Sequence, residues 1–195
     1  MQSKRRTGLI VGIVLALIII TIIVTYNSLV KKEEKVNQTW SEVQNTYQRR
    51  LDLVPNLVNV VKGVSEFEQE TLRKIAEARA NALTGLSNTE VTADNYKNQI
   101  RLQDSLAAAT NRLIVVVENY PDLKGTQAYT GLQVQLEGTE RRIKVARTDF
   151  NEAVATYNNK VRSFPATIFA GLLGFKTKSG FEADAGSNKA VEIKF

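Results

Sequence analysis

The sequence predicts an all-α protein, with one N-terminal transmembrane helix followed by an antiparallel bundle of long helices. Two observations support this fold class. Apolar residues recur three and four positions apart along most of the chain after residue 27, which is the spacing of helices that bury one face. The 195 residues include only three Pro and eleven Gly, and stretches rich in Ala, Leu, Glu, Lys, Arg and Gln favour long helices over a sheet.

The first element is an apolar run from Gly8 to Thr25 that contains no charged residue, followed by the aromatic residue Tyr26. A helix needs about 20 mostly apolar residues to cross the hydrocarbon of a bilayer, and Tyr26 stands where interfacial aromatic residues are common. The run is longer than the apolar part of a cleaved signal peptide, and no small-x-small cleavage site follows it. We therefore expect residues 8–26 to be an uncleaved signal-anchor and residues 1–7 to be a short cytoplasmic N-terminus.

The charges that flank this run predict its orientation. Three basic residues occupy positions 4–6, directly before it, whereas Lys31 and Lys32 lie farther from its other end. The positive-inside rule then places the N-terminus in the cytoplasm and residues 27–195 outside it. This predicts a single-pass protein of the bacterial inner (plasma) membrane, with its C-terminal domain in the periplasm if the cell has two membranes.

The bundle is predicted for residues 27–164, and breaks in the helical pattern divide it. A cluster of Gly, Ser and Asn at 84–88 and a segment with Pro and Gly at 118–125 are typical of connections between helices. Ser163, Phe164 and Pro165 are expected to end the last long helix. The apolar stripes between these breaks include Val36, Trp40, Val43, Tyr47 and Leu51 early in the chain, and Tyr129, Leu136, Ile143, Phe150, Val154 and Tyr157 late in it.

Pro55 leaves two possibilities for the first part of the bundle. The apolar stripe continues through it, which is compatible with one kinked helix and a bundle of three helices. A helix from 27 to 83 would be about 85 Å long, however, and later helices of about 45–57 Å would leave its first stripe uncovered. A turn near Asp52–Pro55 gives four segments that cover one another, with Asp52 as an N-cap and Pro55 in the first turn. We favour four helices.

An apolar segment at residues 165–175 and a flexible tail at 176–195 are expected after the bundle. Four antiparallel helices would return the chain to the membrane, so this segment would seal the base of the bundle, enter the lipid interface or contact a membrane partner. A bundle of three helices would instead place it at the far tip. We expect it to seal the bundle. The candidate membrane-proximal or interface residues are Phe164, Ile168, Phe169, Leu172, Leu173 and Phe175.

The residues that are missing narrow the possible functions. The chain contains no Cys and no His, which excludes thiolate nucleophiles, His-based catalytic triads and the commonest zinc sites. Half of its net charge of +6 comes from positions 4–6 and the rest is spread along the chain, which is not the clustered basic face of a nucleic-acid-binding protein. We predict that the protein is not an enzyme, has no cofactor or metal site, and binds no nucleic acid.

The densest motif begins Arg49-Arg50-Leu51-Asp52-Leu53-Val54-Pro55-Asn56-Leu57-Val58 and continues to Gly63. With further blocks, it makes the chain similar to the LemA family over about residues 8–182. The chain departs from the family pattern where it has Phe67-Glu68 instead of His-Glu and Phe150-Asn151 instead of Tyr-Asn. The further blocks are Tyr26–Val30, Ala78-Arg79, Glu118–Pro121 with Leu123-Lys124, Leu136-Glu137 with Thr139-Glu140, Ala146-Arg147, Tyr157-Asn158 and Phe164-Pro165.

The resemblance implies a single-pass inner-membrane protein with a helical bundle outside the cytoplasm, and it implies no catalytic activity. Members of the family are often encoded near a membrane metalloprotease of the HtpX type or near TPM-domain envelope proteins, which suggests such a partner. The leading hypothesis is a scaffold or adaptor that binds envelope proteins or forms a homo-oligomer. The alternatives are a regulator of such a protease or TPM-domain protein, and an enzyme that uses carboxylates alone.

The sequence predicts specific roles for two sets of polar residues. Arg49, Arg50, Asp52, Pro55 and Asn56 are candidates for a structural role, in which they form short-range ion pairs and cap helix ends at a turn. The alternative is a recognition site at the end of the bundle far from the membrane. The second set consists of Arg79 and Arg147, for which two interpretations are open: side chains that extend to water along the rim of the bundle, or interhelical salt bridges with Glu137 and Glu140 as candidate acceptors.

Overall fold

The computed structural model describes residues 2–62, 69–87 and 92–181, and it describes side chains from residue 8 onward. Within these ranges the chain forms six helices and no strand, so the predicted all-α fold is confirmed. The motif residues Gly63 and Phe67-Glu68 and the tail residues 182–195 lie outside the described part. The helices are α1 (Gln2–Lys62), α2 (Gln69–Ser87), α3 (Ala93–Val117), α4 (Pro121–Lys124), α5 (Gln127–Arg162) and α6 (Ala166–Ala170).

α1 is a single helix of 61 residues that contains Pro55 in its interior. The predicted turn near Asp52–Pro55 is therefore wrong, and the chain leaves the helix only after Lys62. A proline inside a helix costs about 3 kcal/mol, but breaking the helix here would expose the stripe that continues beyond it. Leu57 and Val61 are fully buried in the bundle, and burying such a side chain contributes about 1.5–3 kcal/mol.

The four long helices α1, α2, α3 and α5 run antiparallel to their neighbours in the chain, so the described residues form the predicted number of long helices, although α1 continues past the predicted turn. α1 packs along α5, and α2 packs along α3. In the second pair the approach is close at Gly85, where a Cβ atom would come within 2.7 Å of the Leu102 side chain. The arrangement is thus two helical pairs laid side by side.

The two pairs differ in length. α5 has 36 residues and is about 54 Å long, whereas α2 with 19 residues and α3 with 25 residues are about 28 and 37 Å long. Arg79 on α2 reaches Leu51, beyond the middle of α1, and Tyr96 at the start of α3 reaches Trp40. The α2–α3 hairpin therefore covers mainly the half of the α1–α5 pair that is far from the apolar run.

Local chemistry accounts for the ends of the later helices. The Thr92 side chain accepts a hydrogen bond from the Asn95 N–H at the start of α3, and the Thr126 side chain does the same for the Tyr129 N–H at the start of α5. Between them, Pro121 stands in the first turn of the short helix α4. The predicted connection at 118–125 and the predicted helix end at 163–165 are confirmed.

Buried apolar side chains form two clusters along the bundle. The proximal cluster lies toward the apolar run of α1 and is rich in aromatic rings, whereas the distal cluster is mostly aliphatic. The proximal cluster includes Leu29, Val36, Trp40, Val43, Tyr47, Tyr96, Phe150, Val154, Tyr157, Ala166, Ala170 and Phe175. The distal cluster includes Leu51, Val54, Leu57, Val61, Ile75, Ala82, Leu106, Leu113, Val117, Leu123, Tyr129 and Leu136.

Residues 176–181 form an extended strap that packs along α5, so the flexible tail expected from residue 176 does not begin there. Asn158 donates a hydrogen bond to the Lys178 carbonyl at 2.7 Å and accepts one from its N–H at 2.8 Å. Asn151 makes the same pair of bonds with Phe181, at 3.2 and 2.7 Å. Two asparagine side chains seven residues apart thus bond the backbone of the strap in the way that the edge of a β-sheet bonds an added strand. The composition of the tail gave no reason to expect this.

Candidate functional site

The motif residue Arg50 is buried in the middle of the bundle, with 2% of its surface exposed. Its Nε donates to Glu140 Oε1 at 2.8 Å, and its Nη2 is ion-paired with the other oxygen of that carboxylate. Its Nη1 donates to the carbonyl of Gln103 at 3.0 Å and to the Gln103 Oε1 at 3.2 Å. The predicted short-range ion pairs and helix caps are therefore wrong for Arg50, because its partners lie on α3 and α5.

Arg147 on α5 forms a second set of contacts between helices, at the same height along the bundle as Arg50. It donates to the Tyr47 Oη at 3.0 Å and to Asp104 Oδ1 at 2.9 Å, and its guanidinium lies 5.5 Å from the centre of the Phe181 ring. Burial raises the pKa of Tyr47, and the neighbouring Arg147 opposes that rise. The predicted interhelical salt bridge of Arg147 is thus present, but its acceptor is Asp104 and not Glu137 or Glu140.

These groups form a polar layer between the proximal and distal clusters. A buried arginine is tolerable here because its charge is paired with Glu140 and its Nη1 donates to Gln103. The sequence contained a signal for this layer, since Gln99 and Gln103 fall within the buried stripe of α3, but that signal was missed. The polar layer consists of Tyr47, Arg50, Gln103, Asp104, Glu140 and Arg147.

Arg79 has a separate role, which explains how α1 continues through Pro55. In a helix the Leu51 carbonyl would accept a hydrogen bond from the N–H of residue 55, and proline has no N–H. Arg79 Nε on α2 donates to this carbonyl at 3.0 Å. Two motifs separated in the sequence, one with the proline and one with Ala78-Arg79, therefore meet at a single backbone oxygen.

The other candidate residues of the motif face outward. Arg49, Asp52 and Asn56 are exposed, and they share one side of α1 because they are three and four positions apart. Asp52 accepts a hydrogen bond from Gln48 at 2.8 Å within the same helix. None of these residues caps a helix end, because all lie in the interior of α1.

A groove of about 1280 Å³ runs along the outside of the α1–α5 pair. It extends from Val24 to Thr46 on α1, which is about 33 Å at the rise of a helix. Its floor contains the small buried residues Thr39, Ala146 and Ala153, with the exposed Val145 beside them. The α1–α5 groove lies opposite the strap, because its lining residues occupy the other face of both helices.

Charged residues of both signs line the walls of the α1–α5 groove. α1 contributes Lys31, Lys32, Lys35 and Glu42, and α5 contributes Arg141, Arg142, Asp149 and Glu152. An apolar floor with a charged rim is the usual composition of a surface that receives an amphipathic helix. The sequence reasoning did not identify this groove, although the small residues Ala146 and Ala153, seven apart on α5, were a signal of a shallow face.

The apolar segment after α5 lies at the end of the bundle next to the apolar run. The Phe175 ring packs edge-on against Tyr26 with their centres 5.7 Å apart, so the alternative position at the far tip is wrong. Among the six candidate residues, Phe175 is buried in the proximal cluster, and Phe169 and Leu173 are partly buried. Phe164, Ile168 and Leu172 are exposed. The segment seals the bundle with one side only.

Two observations bear on membrane and metal binding. Within the described residues, α1 is the one helix that is long and apolar enough to cross a membrane, judged by its length and composition. The apolar side chains of its first turns, such as Leu9 and Ile13, are exposed. The same described residues contain no cluster of three or more acidic side chains suited to hold a metal ion.

A sequence model of the LemA family matches residues 39–195. The chain belongs to the LemA family. It is 26% identical over 157 residues to Protein LemA of Metamycoplasma hominis, an alignment that covers 80% of this chain and 68% of that one. It is also 25% identical over 207 residues to Magnetosome protein MamQ 2 of Paramagnetospirillum magneticum, covering 93% and 76%. A MamQ protein of Magnetospirillum gryphiswaldense is 25% identical over 217 residues, covering 97% and 80%.

The family match confirms the resemblance that the sequence motifs indicated. It begins inside α1 and includes the polar layer, Pro55 with Arg79, and the residues of the α1–α5 groove from Thr39 onward. The names of these relatives denote no enzyme.

Proposed function

We propose that this LemA-family protein is a non-enzymatic scaffold of the bacterial envelope, which holds a protein partner in the α1–α5 groove. The apolar run of α1 anchors it as a single-pass inner-membrane protein with a cytoplasmic N-terminus. The helical domain then stands outside the cytoplasm, in the periplasm of cells with two membranes. The groove is the single observation that carries this proposal.

The shape and chemistry of the groove favour a helix as its occupant. A length of about 33 Å matches a helix of about 22 residues, and the shallow floor admits the apolar stripe of such a helix. Lys35 and Glu42 on one wall and Arg142 and Asp149 on the other offer charges of both signs to its polar flanks. Such charges contribute more to the choice and orientation of a partner than to affinity.

The absence of His and Cys from the sequence supports the non-enzymatic part of the proposal. The buried ionisable groups also support it, since Arg50 and Arg147 are bonded to other side chains of the bundle. The partner is a second copy of this chain or another envelope protein. The family association suggests a membrane metalloprotease of the HtpX type or a TPM-domain protein for the second case.

Site-specific photocrosslinking in native membranes tests the groove. A photoreactive residue replaces Val145, which is 59% exposed in the groove, or Val134, which is 64% exposed on the same helix outside it. We expect a defined crosslinked product from position 145 and none from position 134. Mass spectrometry of that product separates a homo-oligomer from a protease or TPM-domain partner. Equal products from both positions, or none from either, would contradict the proposal.

The orientation has its own test, because the chain contains no cysteine. A single cysteine at Val134 is treated with a membrane-impermeant maleimide in intact cells whose outer layers admit the reagent. We expect labelling before lysis. Labelling that requires lysis would place the helical domain in the cytoplasm and would overturn the envelope location.

A further inference from the structure

Three large apolar side chains are exposed after α5, although a seal would bury them. Phe164 is 79% exposed, Ile168 is 59% exposed and Leu172 is 88% exposed. Phe164 precedes α6, Ile168 lies within it and Leu172 follows it, while Ala166 and Ala170 of the same helix are buried in the proximal cluster. These three large apolar side chains thus face outward, whereas a helix on the surface of a soluble domain buries such side chains.

The position of this segment indicates what covers the exposed residues. Phe175 packs on Tyr26, which directly follows the apolar run of α1. Thr25, in the last turn of that run, is buried, whereas Val24 and Tyr26 beside it are exposed. The chain after α5 therefore extends to the level of the apolar run. When that run is in a bilayer, the surroundings at this level are lipid, and exposed apolar side chains have no cost there.

The charges around the segment fit a lipid surface as well. The stretch from Ala153 to Phe181 contains no acidic residue. Arg162 and Lys176 are exposed and lie at either end of the apolar segment. Basic residues beside an inserted apolar face are the usual arrangement of interfacial segments, because they meet the phosphates of anionic headgroups.

We propose that residues 162–176 form a membrane foot: Phe164, Ile168 and Leu172 enter the lipid interface, and Arg162 and Lys176 contact anionic phospholipid headgroups. The foot is a second attachment beside the transmembrane helix. A single helix leaves the helical domain free to rotate and tilt, whereas two adjacent attachments hold the α1–α5 groove at one angle to the membrane. This inference rests on the anchor of the proposed function and is independent of what occupies the groove.

The test uses the full-length chain in vesicles of phosphatidylcholine with phosphatidylglycerol. A single cysteine replaces Leu172, and a matched variant carries it at Val134, which is exposed on α5 away from the foot. Each carries an environment-sensitive fluorophore. We expect spin-labelled lipids to quench most of the fluorescence at position 172 and little at position 134, and aqueous iodide to show the reverse. Flotation of the vesicles reports separately whether the anchor holds.

The outcomes distinguish the two proposals. Protein that fails to float overturns the anchor and the foot together. Protein that floats but is quenched by iodide at position 172 as strongly as at position 134 overturns the foot and leaves the anchor standing. The headgroup contact is tested by R162Q/K176Q on the same labelled chain, where we expect lipid quenching at position 172 to depend less on phosphatidylglycerol. If lipid quenching at position 172 depends on phosphatidylglycerol as strongly as before, the headgroup contact is overturned. The experiment uses a high lipid-to-protein ratio, which excludes burial of position 172 against a second copy of the chain.

Discussion

The proximal and distal halves of the bundle each enclose a buried apolar cluster, but they differ in the helices that surround the cluster and in the side chains that fill it. Four long helices enclose the distal cluster, and its side chains are mainly Leu, Val and Ile. The proximal cluster has only α1 and α5 along its whole length, and it is completed by the start of α3, the end of the chain after α5 and the strap. Aromatic rings make up much of the core there.

The difference between the two halves follows from the lengths of the helices. It also places the surfaces proposed for function on one half and the fully enclosed core on the other. The α2–α3 hairpin is too short to cover the whole α1–α5 pair, so the end of the chain and the strap cover the proximal part of that face. The α1–α5 groove lies on the opposite face of the pair, and the membrane foot lies at its end nearest the apolar run. Surfaces proposed to bind lipid or a partner are therefore all on the half that adjoins the apolar run, while Pro55 and Arg79 belong to the enclosed half.

The largest expected effect comes from removing a ring of the proximal cluster. Phe150 is fully buried and its ring centre lies 5.4 Å from that of Trp40, 5.0 Å from Tyr96 and 5.2 Å from Phe181. We expect Phe150→Ala to lower the free energy of unfolding by about 3–5 kcal/mol, because three rings lose a common neighbour. Denaturant unfolding in detergent measures this. The control V134A should change it by less than about 0.5 kcal/mol; a similar small loss in F150A would mean that aromatic packing does not hold this half.

The polar layer between the halves gives the next largest effect. Arg50→Met leaves the Gln103 carbonyl and the half-exposed Glu140 without their partner, and we expect a loss of about 2–3 kcal/mol. The neighbouring Arg49 is exposed and provides the matched control. R49M should cost less than about 0.5 kcal/mol in the same unfolding experiment. Equal costs for the two substitutions would contradict the different roles assigned to adjacent arginines.

A double-mutant cycle tests the contact between Arg79 and the carbonyl that Pro55 leaves free. We expect Arg79→Leu to cost about 1–2 kcal/mol in the natural chain, because the Leu51 carbonyl then has no donor. In a P55A background the N–H of residue 55 serves that carbonyl, so the same substitution should cost less. The predicted coupling is about 1 kcal/mol. Additive effects would show that Arg79 does not compensate for the proline.

The smallest expected effect on the free energy of unfolding occurs only at alkaline pH. Burial raises the pKa of Tyr96 to about 12 and that of Tyr157 to about 12 as well, and Glu33 contributes to the second. An unfolded tyrosine loses its proton near pH 10, so the stability that these groups contribute is complete below pH 10 and is lost as the pH rises toward 12. Neither hydroxyl has a hydrogen-bond partner within the described residues.

Tyr96→Phe isolates this contribution in the proximal cluster. Below pH 10 we expect a change in the free energy of unfolding of less than about 1 kcal/mol, since no hydrogen bond is lost. Between pH 10 and 12 the variant should lose less stability than the natural chain. Unfolding measured over pH 7–12 checks both statements, and an identical alkaline loss in the two proteins would contradict the burial of this hydroxyl.

Much of this architecture is determined by the sequence alone, because it depends on neighbours in the chain. The helical period of the apolar residues sets the fold class. Thr126 caps the start of α5 through a local hydrogen bond, and Pro121 and Pro165, which have no N–H, stand at the starts of α4 and α6. The apolar run before Tyr26 is likewise a property of consecutive residues. These features need no knowledge of what packs against them.

Other features were decided only by the tertiary structure, because their partners lie far away in the sequence. α1 continues through Pro55 because Arg79, on the next helix, donates to the freed carbonyl. Arg50 is buried because Glu140 comes within reach from α5, and the strap is held because Asn151 and Asn158 present their amides to it. Local propensity argued for a turn and a mobile tail at these places. The observed conformations differ from these local propensities because hydrogen bonds from distant residues stabilise them, which neighbouring residues alone would not do.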